Sequence, residues 1–149
     1  DLDRLARLFH ASDLCVAPGG IGLLCIQALG HGLPCITHDD PYGLEPGGHG
    51  GKGPESEAIV PGRTGLLFRR GDPDDLLRCI RHWFSGNQGR AQVRRECRRM
   101  IDRYYNPRVQ AAVIDAAVRG APASQVVETE DFAHVLGSAP AKHGGEAAM

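Results

Sequence analysis

The sequence predicts an α/β fold, a Rossmann-like parallel sheet with flanking helices, and three observations predict it. Short apolar runs, partly β-branched, alternate with longer stretches whose apolar residues recur at helical spacing, the order from which βαβ units and parallel sheets are built. The first run, Asp13-Leu-Cys-Val-Ala17, passes through Pro18-Gly-Gly-Ile-Gly22 straight into an apolar helix, and a further apolar run follows that helix at once. The composition, 42% hydrophobic and 23% charged with a net charge of −1 over 149 residues, is that of an ordinary soluble globular domain with one core. The charge balance implies no nucleic-acid partner.

The elements follow in order. Leu2, Leu5, Leu8 and Phe9 give the first residues a helical stripe. A helix at the very start of a chain that lacks an initial methionine suggests a fragment of a longer protein. A strand is expected over 13–17, the kind that lies in a parallel sheet covered on both faces, then a helix over 22–31 and a strand over 34–37. A long loop reaches from His38 to Glu57, with a glycine-rich run from Gly47 to Gly53, before a short apolar segment, Ala58-Ile-Val60, and a strand over Thr64-Gly-Leu-Leu-Phe68. Asp72-Pro73 reads as an N-cap with proline at the first helical position, so a helix is expected over 73–84, with Leu76, Leu77, Ile80 and Phe84 as its stripe. Val93, Cys97, Met100, Ile101 and Tyr104 set a helix from about 88 to 105, and Asn106-Pro107 breaks the chain before a last helix over 109–118. The domain reading is a partial nucleotide-binding unit over 1–86, two helices over 87–119 packing on it, and a disordered tail over 120–149, with one or two helical turns at most over Asp131–Leu136.

The chemistry gathers at the glycine turn. Gly19, Gly20 and Gly22 let the backbone turn sharply and approach a ligand with no Cβ in the way. The N–H groups and positive dipole end of the following helix point into the loop, where an anion is stabilised. A tight strand-to-helix turn with no ligand would use the same residues. In that helix Leu23, Leu24, Cys25, Ile26, Ala28 and Leu29 are apolar nearly all round, which predicts a helix buried on most sides. Gln27 interrupts them seven residues after Gly20, and its amide, expected to be buried, needs either a neighbouring carbonyl or a ligand held at the loop. The turn is not a dinucleotide fingerprint, because Cys25 stands where the third glycine would be.

Other features set bounds. Lys52 and Lys142 are the only lysines, so arginine carries nearly all positive charge, a pattern that GC-rich coding explains. The arginines of the 88–105 helix could meet acidic lipid, but a solvated face explains them too. Five cysteines, at 15, 25, 35, 79 and 97, fall in apolar patterns with no C-x-x-C pair and read as reduced, buried thiols of a cytoplasmic protein. No run of eighteen apolar residues and no signal peptide is present. His38, Asp39, Asp40 and His49 have no fixed spacing across the glycines, so no metal site is expected.

Four segments in register carry a family resemblance. Ala11-Ser-Asp-Leu-Cys-Val-Ala-Pro18, the Gly-Gly-Ile-Gly-Leu turn, Gln27-Ala-Leu-Gly-His-Gly-Leu-Pro-Cys-Ile-Thr37, and Glu57-Ala-Ile-Val-Pro-Gly-Arg-Thr-Gly-Leu-Leu-Phe68 followed by Gly71-Asp-Pro resemble the donor-binding half of a family-4 type glycosyltransferase. The match runs from about Ala11 to Phe84. It implies the C-terminal part of a two-domain (GT-B) enzyme that moves a sugar from a nucleotide diphosphate sugar to a glycan or lipid-linked acceptor, retaining the anomeric configuration and using no bound metal or other cofactor. On that resemblance the donor-binding residues are Gly19, Gly20, Ile21, Gly22, Leu23 and Gln27, with Asp39 and Glu57 as contributions from the loop. The amides of Ile21, Gly22 and Leu23 would hold the diphosphate and stabilise it as a leaving group.

The family normally places two glutamates eight positions apart across this turn, and here those positions hold Gly19 and Gln27. Gln27 can hydrogen-bond a ribose hydroxyl without the charge assistance of a carboxylate, whereas Gly19 cannot replace the acid. No catalytic residue is assigned. The resemblance also implies a cytoplasmic protein of polysaccharide or glycolipid assembly, in peripheral contact with the inner face of a membrane, and a fragment inactive by itself because the acceptor domain lies upstream. A sugar-nucleotide epimerase of the same fold and a non-catalytic module that binds a nucleotide sugar or a partner are the competing readings.

Overall fold

The computed structural model describes residues 1–40, 53–86 and 89–121. His49, nearly all of the glycine run and the tail, including Asp131–Leu136, lie outside them. Among the described residues the chain is α/β, with three strands, β1 (Cys15–Ala17), β2 (Cys35–His38) and β3 (Gly65–Phe68), in one parallel sheet of order β1-β2-β3. Five α-helices accompany them: α1 (Leu2–Ala11), α2 (Leu23–Gly30), α3 (Pro73–Ser85), α4 (Arg90–Met100) and α5 (Pro107–Val118).

Local chemistry explains three of the five α-helix starts. The Asp1 carboxylate accepts from the N–H groups of Asp3 and Arg4 and caps α1. Asp72 accepts from Asp75 N–H ahead of Pro73, and Asn106 accepts from Arg108 N–H ahead of Pro107, so α5 starts two residues earlier than the apolar spacing indicates. In each case a side-chain oxygen takes up an N–H that the helix cannot satisfy, and in α3 and α5 proline fills a position that needs no donor.

The sheet is register-matched so that Cys15 stands beside Cys35 and Cys35 beside Gly65. Because side chains alternate across a strand, one face carries Cys15, Ala17, Cys35 and Leu67 and packs against Phe9 of α1, Cys25, Ala28 and Leu29 of α2, and Val93, Cys97 and Met100 of α4. The opposite face carries Ile36, Leu66 and Phe68 and packs against Leu76, Cys79 and Ile80 of α3. All four residues of β2 are buried, as expected for a strand with helices on both sides. Arg94 of α4 donates to the carbonyls of His10 and Ser12 at 3.1 Å each, which ties α4 to the end of α1.

Three differences from the sequence reading have physical causes. The 38–57 loop contains a 3₁₀ turn, Pro54–Ala58, with proline in its first turn. The apolar segment Ala58-Ile-Val60 follows on from that turn, and the next residue, Pro61, makes an isolated bridge to Gly65. The helix expected from 88 to 105 is α-helical through Met100 and then widens into a π turn over Ile101–Tyr105, which lets Ile101, Tyr104 and Tyr105 all pack on the core. Finally, α2 is not buried on most sides. Cys25, Ala28 and Leu29 face the core, but Leu23 is 69% exposed and Leu24 40%. Helices cover α2 along one stripe only, so its apolar composition overstates its burial.

Candidate functional site

The glycine turn leaves β1 at the C-terminal edge of the sheet, and Asp39 leaves β2 at the same edge. In parallel α/β sheets this is the edge where ligands bind. Two anchors hold the turn. The buried Thr37 hydroxyl lies 3.0 Å from the Ala17 carbonyl and 3.2 Å from that of Gly19, so its proton is shared between the strand end and the turn. Ile21, only 1% exposed, plugs its side chain into the core. With Ile21 anchored inward, Gly19, Gly20 and Gly22 remain on the surface.

Helix α2 begins without a side-chain cap. Gly22 is its N-cap, no side chain among the described residues caps the first turn, and no acidic residue lies in that turn. Its leading N–H groups therefore keep their capacity for an anion.

The segment that carries Glu57 is held by the Gly62-Arg-Thr-Gly65 turn. The buried Thr64 hydroxyl donates to Ala58 O at 2.8 Å and accepts from Val60 N–H at 2.7 Å, which folds 58–60 back over the start of β3. Arg63 pairs with Glu96 of α4 at 2.8 Å and holds the turn from outside. Gly65 permits the closest approach: a Cβ there would stand 1.8 Å from Cys35 O, inside the neighbouring strand. The preceding 3₁₀ turn consequently lies against the glycine turn, with a Cβ at Gly53 reaching to 3.4 Å from Ile21 O and 3.7 Å from Gly22 Cα. Burial raises the Glu57 carboxyl above its ordinary value. The sequence reading missed Tyr105, which joins this corner from the π turn. Burial pushes its phenol up to about 12, with Cys25, Glu57 and Glu55 adding to the shift. The signal available was the Ile101/Tyr105 spacing of four, one helical turn, which extends the apolar stripe.

The remaining candidates are spread more widely. Gln27 is exposed, which corrects the expectation of a buried amide. It lies one turn beyond Leu23 on the uncovered face of α2. Asp39 is exposed at the strand edge, its N–H bonded to Phe68 O at 2.9 Å. Asp40 pairs with Arg70 at 2.8 Å, and His38 is fully buried, edge-on to Phe68 at 6.5 Å between ring centres. Among the described residues no group of three or more histidine, cysteine or acidic side chains is placed to hold a metal ion, and no helix is long and apolar enough to cross a membrane.

The fold and site together define a parallel α/β unit with an uncapped strand–turn–helix junction, packed against a 3₁₀ turn, at the C-terminal edge of its sheet. No protein-family model matches the chain, and no curated protein and no solved structure does so either.

Proposed function

We propose that this chain forms the donor-diphosphate end of a metal-independent glycosyltransferase of GT-B architecture, acting on a nucleotide diphosphate sugar. The observation that carries the reading is the uncapped α2 N-terminus behind an exposed glycine turn, anchored at Thr37 and Ile21 with the start of the Pro54–Ala58 turn against it. A diphosphate at this position would accept from the amides of Ile21, Gly22 and Leu23, and the helix dipole would favour its charge. The same contacts strengthen as the sugar departs and charge builds on the leaving diphosphate. The resemblance of Ala11–Phe84 to family-4 glycosyltransferases supports sugar transfer over the other diphosphate chemistries this turn could serve. Exposed Gln27, along the same helix face as Leu23, is available to a ribose hydroxyl. Acceptor recognition, a cytoplasmic site of action and contact with a membrane surface belong to the same reading.

The test is a titration of the isotope-labelled chain with nucleoside diphosphates, followed at the backbone amides. Shifts concentrated at Gly19 to Leu23 are the expected result, in the millimolar range or tighter. Absence of any shift in that segment at saturating diphosphate would overturn the assignment.

A further inference from the structure

Four of the five cysteines share one face of the sheet. Cys15 and Cys35 are direct partners on β1 and β2, Cys25 of α2 and Cys97 of α4 lie in the same core cluster, and Cys79 sits on the opposite face under α3. Adjacent strands are about 4.8 Å apart, within the Cα separation of about 4.4 to 6.8 Å that a disulfide spans. Both side chains leave the same face of the sheet from directly paired positions. Cys15 is the partly exposed member of the five, and the others are buried.

We propose that Cys15 and Cys35 are a hydroperoxide-responsive thiol pair that closes to a disulfide between β1 and β2. The neighbouring Cys35 thiol lowers the Cys15 thiol below its ordinary value, while Cys15, Cys25 and burial raise Cys35. The accessible sulfur is therefore the nucleophile and the buried one keeps its proton. The Cys15 thiolate attacks one peroxide oxygen, the O–O bond breaks, and Cys15 becomes a sulfenic acid as hydroxide departs. Cys35 sulfur then attacks Cys15 sulfur, the S–O bond breaks, and the hydroxide leaves as water with the Cys35 proton. Two thiols are oxidised and one peroxide is reduced to two waters. The bond pins β1 to β2 at their first residues, next to the Thr37 anchor of the glycine turn, and it stands on strand register whether or not the turn holds a nucleotide sugar.

Treating the folded 149-residue chain with one equivalent of hydrogen peroxide, followed by alkylation, intact mass and a non-reducing peptide map, tests this directly. The expected product has two fewer alkylatable thiols than the five of the sequence, a mass lower by two hydrogens, and a single Cys15–Cys35 linkage, with Cys79 still alkylated. In Cys35→Ser the reaction should stop at a dimedone-trappable sulfenic acid on Cys15, and Cys15→Ser should leave Cys35 reduced. A wild-type map in which oxidation spreads evenly over the cysteines, links Cys25 or Cys97 instead, or occurs only after unfolding in urea would overturn the proposal. That map needs no variant to fold.

Discussion

Replacing Gly65 by alanine puts one methyl group into the tightest place in the sheet. The new Cβ would lie 1.8 Å from Cys35 O, 2.8 Å from Cys35 C and 2.9 Å from Ile59 Cγ2. Two of these atoms are backbone, so no rotamer change relieves the contact. Restoring an ordinary separation of about 3.4 Å requires β3 to withdraw from β2 by roughly 1.5 Å at this point, which overpacking results price at about 1–3 kcal/mol. The withdrawal also carries away the bond from Cys35 N–H to Thr64 O, now 3.0 Å, leaving buried backbone groups unpaired at a further cost of about 1–3 kcal/mol. The sum, about 2–6 kcal/mol, is a large part of the 5–15 kcal/mol that typically stabilises a domain. For a unit of this size it corresponds to a fall in Tm of roughly 8–25 °C. Thermal unfolding followed by circular dichroism reads it directly. A Gly65→Ala chain melting within about 4 °C of the parent would refute the close-approach argument, because only a different strand geometry could accommodate the methyl group.

Three further outcomes are expected. Thr64→Val keeps the shape but leaves Ala58 O and Val60 N–H without their hydroxyl partner, so urea unfolding should show a loss of about 1–3 kcal/mol, partly recovered in Thr64→Ser. Gly22→Asp meets open space, with nothing within 4 Å of its Cβ. It should leave stability within a few tenths of a kcal/mol yet weaken nucleoside diphosphate binding about tenfold or more by placing a carboxylate where the phosphates would sit; unchanged affinity in a titration would sink the anion assignment. For Glu57 the folded-state pKa is raised by burial, so the native state holds its proton more tightly than the unfolded chain does. Its contribution is fully present below the ordinary value of 4.5 and is lost as pH rises through the raised value. Glu57→Gln should therefore flatten the stability profile across that window, and an unaltered slope in denaturation curves at several pH values would contradict the burial account.

The strand–turn–helix at 13–30 was legible because its signals are local: a β-branched run, three glycines and a change of period. The Asp72-Pro73 and Asn106-Pro107 helix starts were legible for the same reason, since a cap and its helix are within three residues of each other. The role of Gly62-Arg-Thr-Gly65 was not. Its spacing marks a turn, but not that the Thr64 hydroxyl clamps Ala58 and Val60, and that Gly65 meets the backbone of Cys35 depends on a strand thirty residues away in the chain. Gln27 failed in the opposite direction, because an apolar helix composition says nothing about how many neighbours arrive to cover it.

The sequence by itself determined the order of strands and helices, the glycine turn and the absence of a charge bias toward nucleic acid, since each rests on residue type and short spacing. Only the tertiary structure decided which face of α2 is covered, that the Glu57 turn lies against the glycine turn with Tyr105 behind it, and that Cys15 and Cys35 stand side by side. Those relations are contacts between segments far apart in sequence, and they are set by strand register and close packing, which no local pattern encodes.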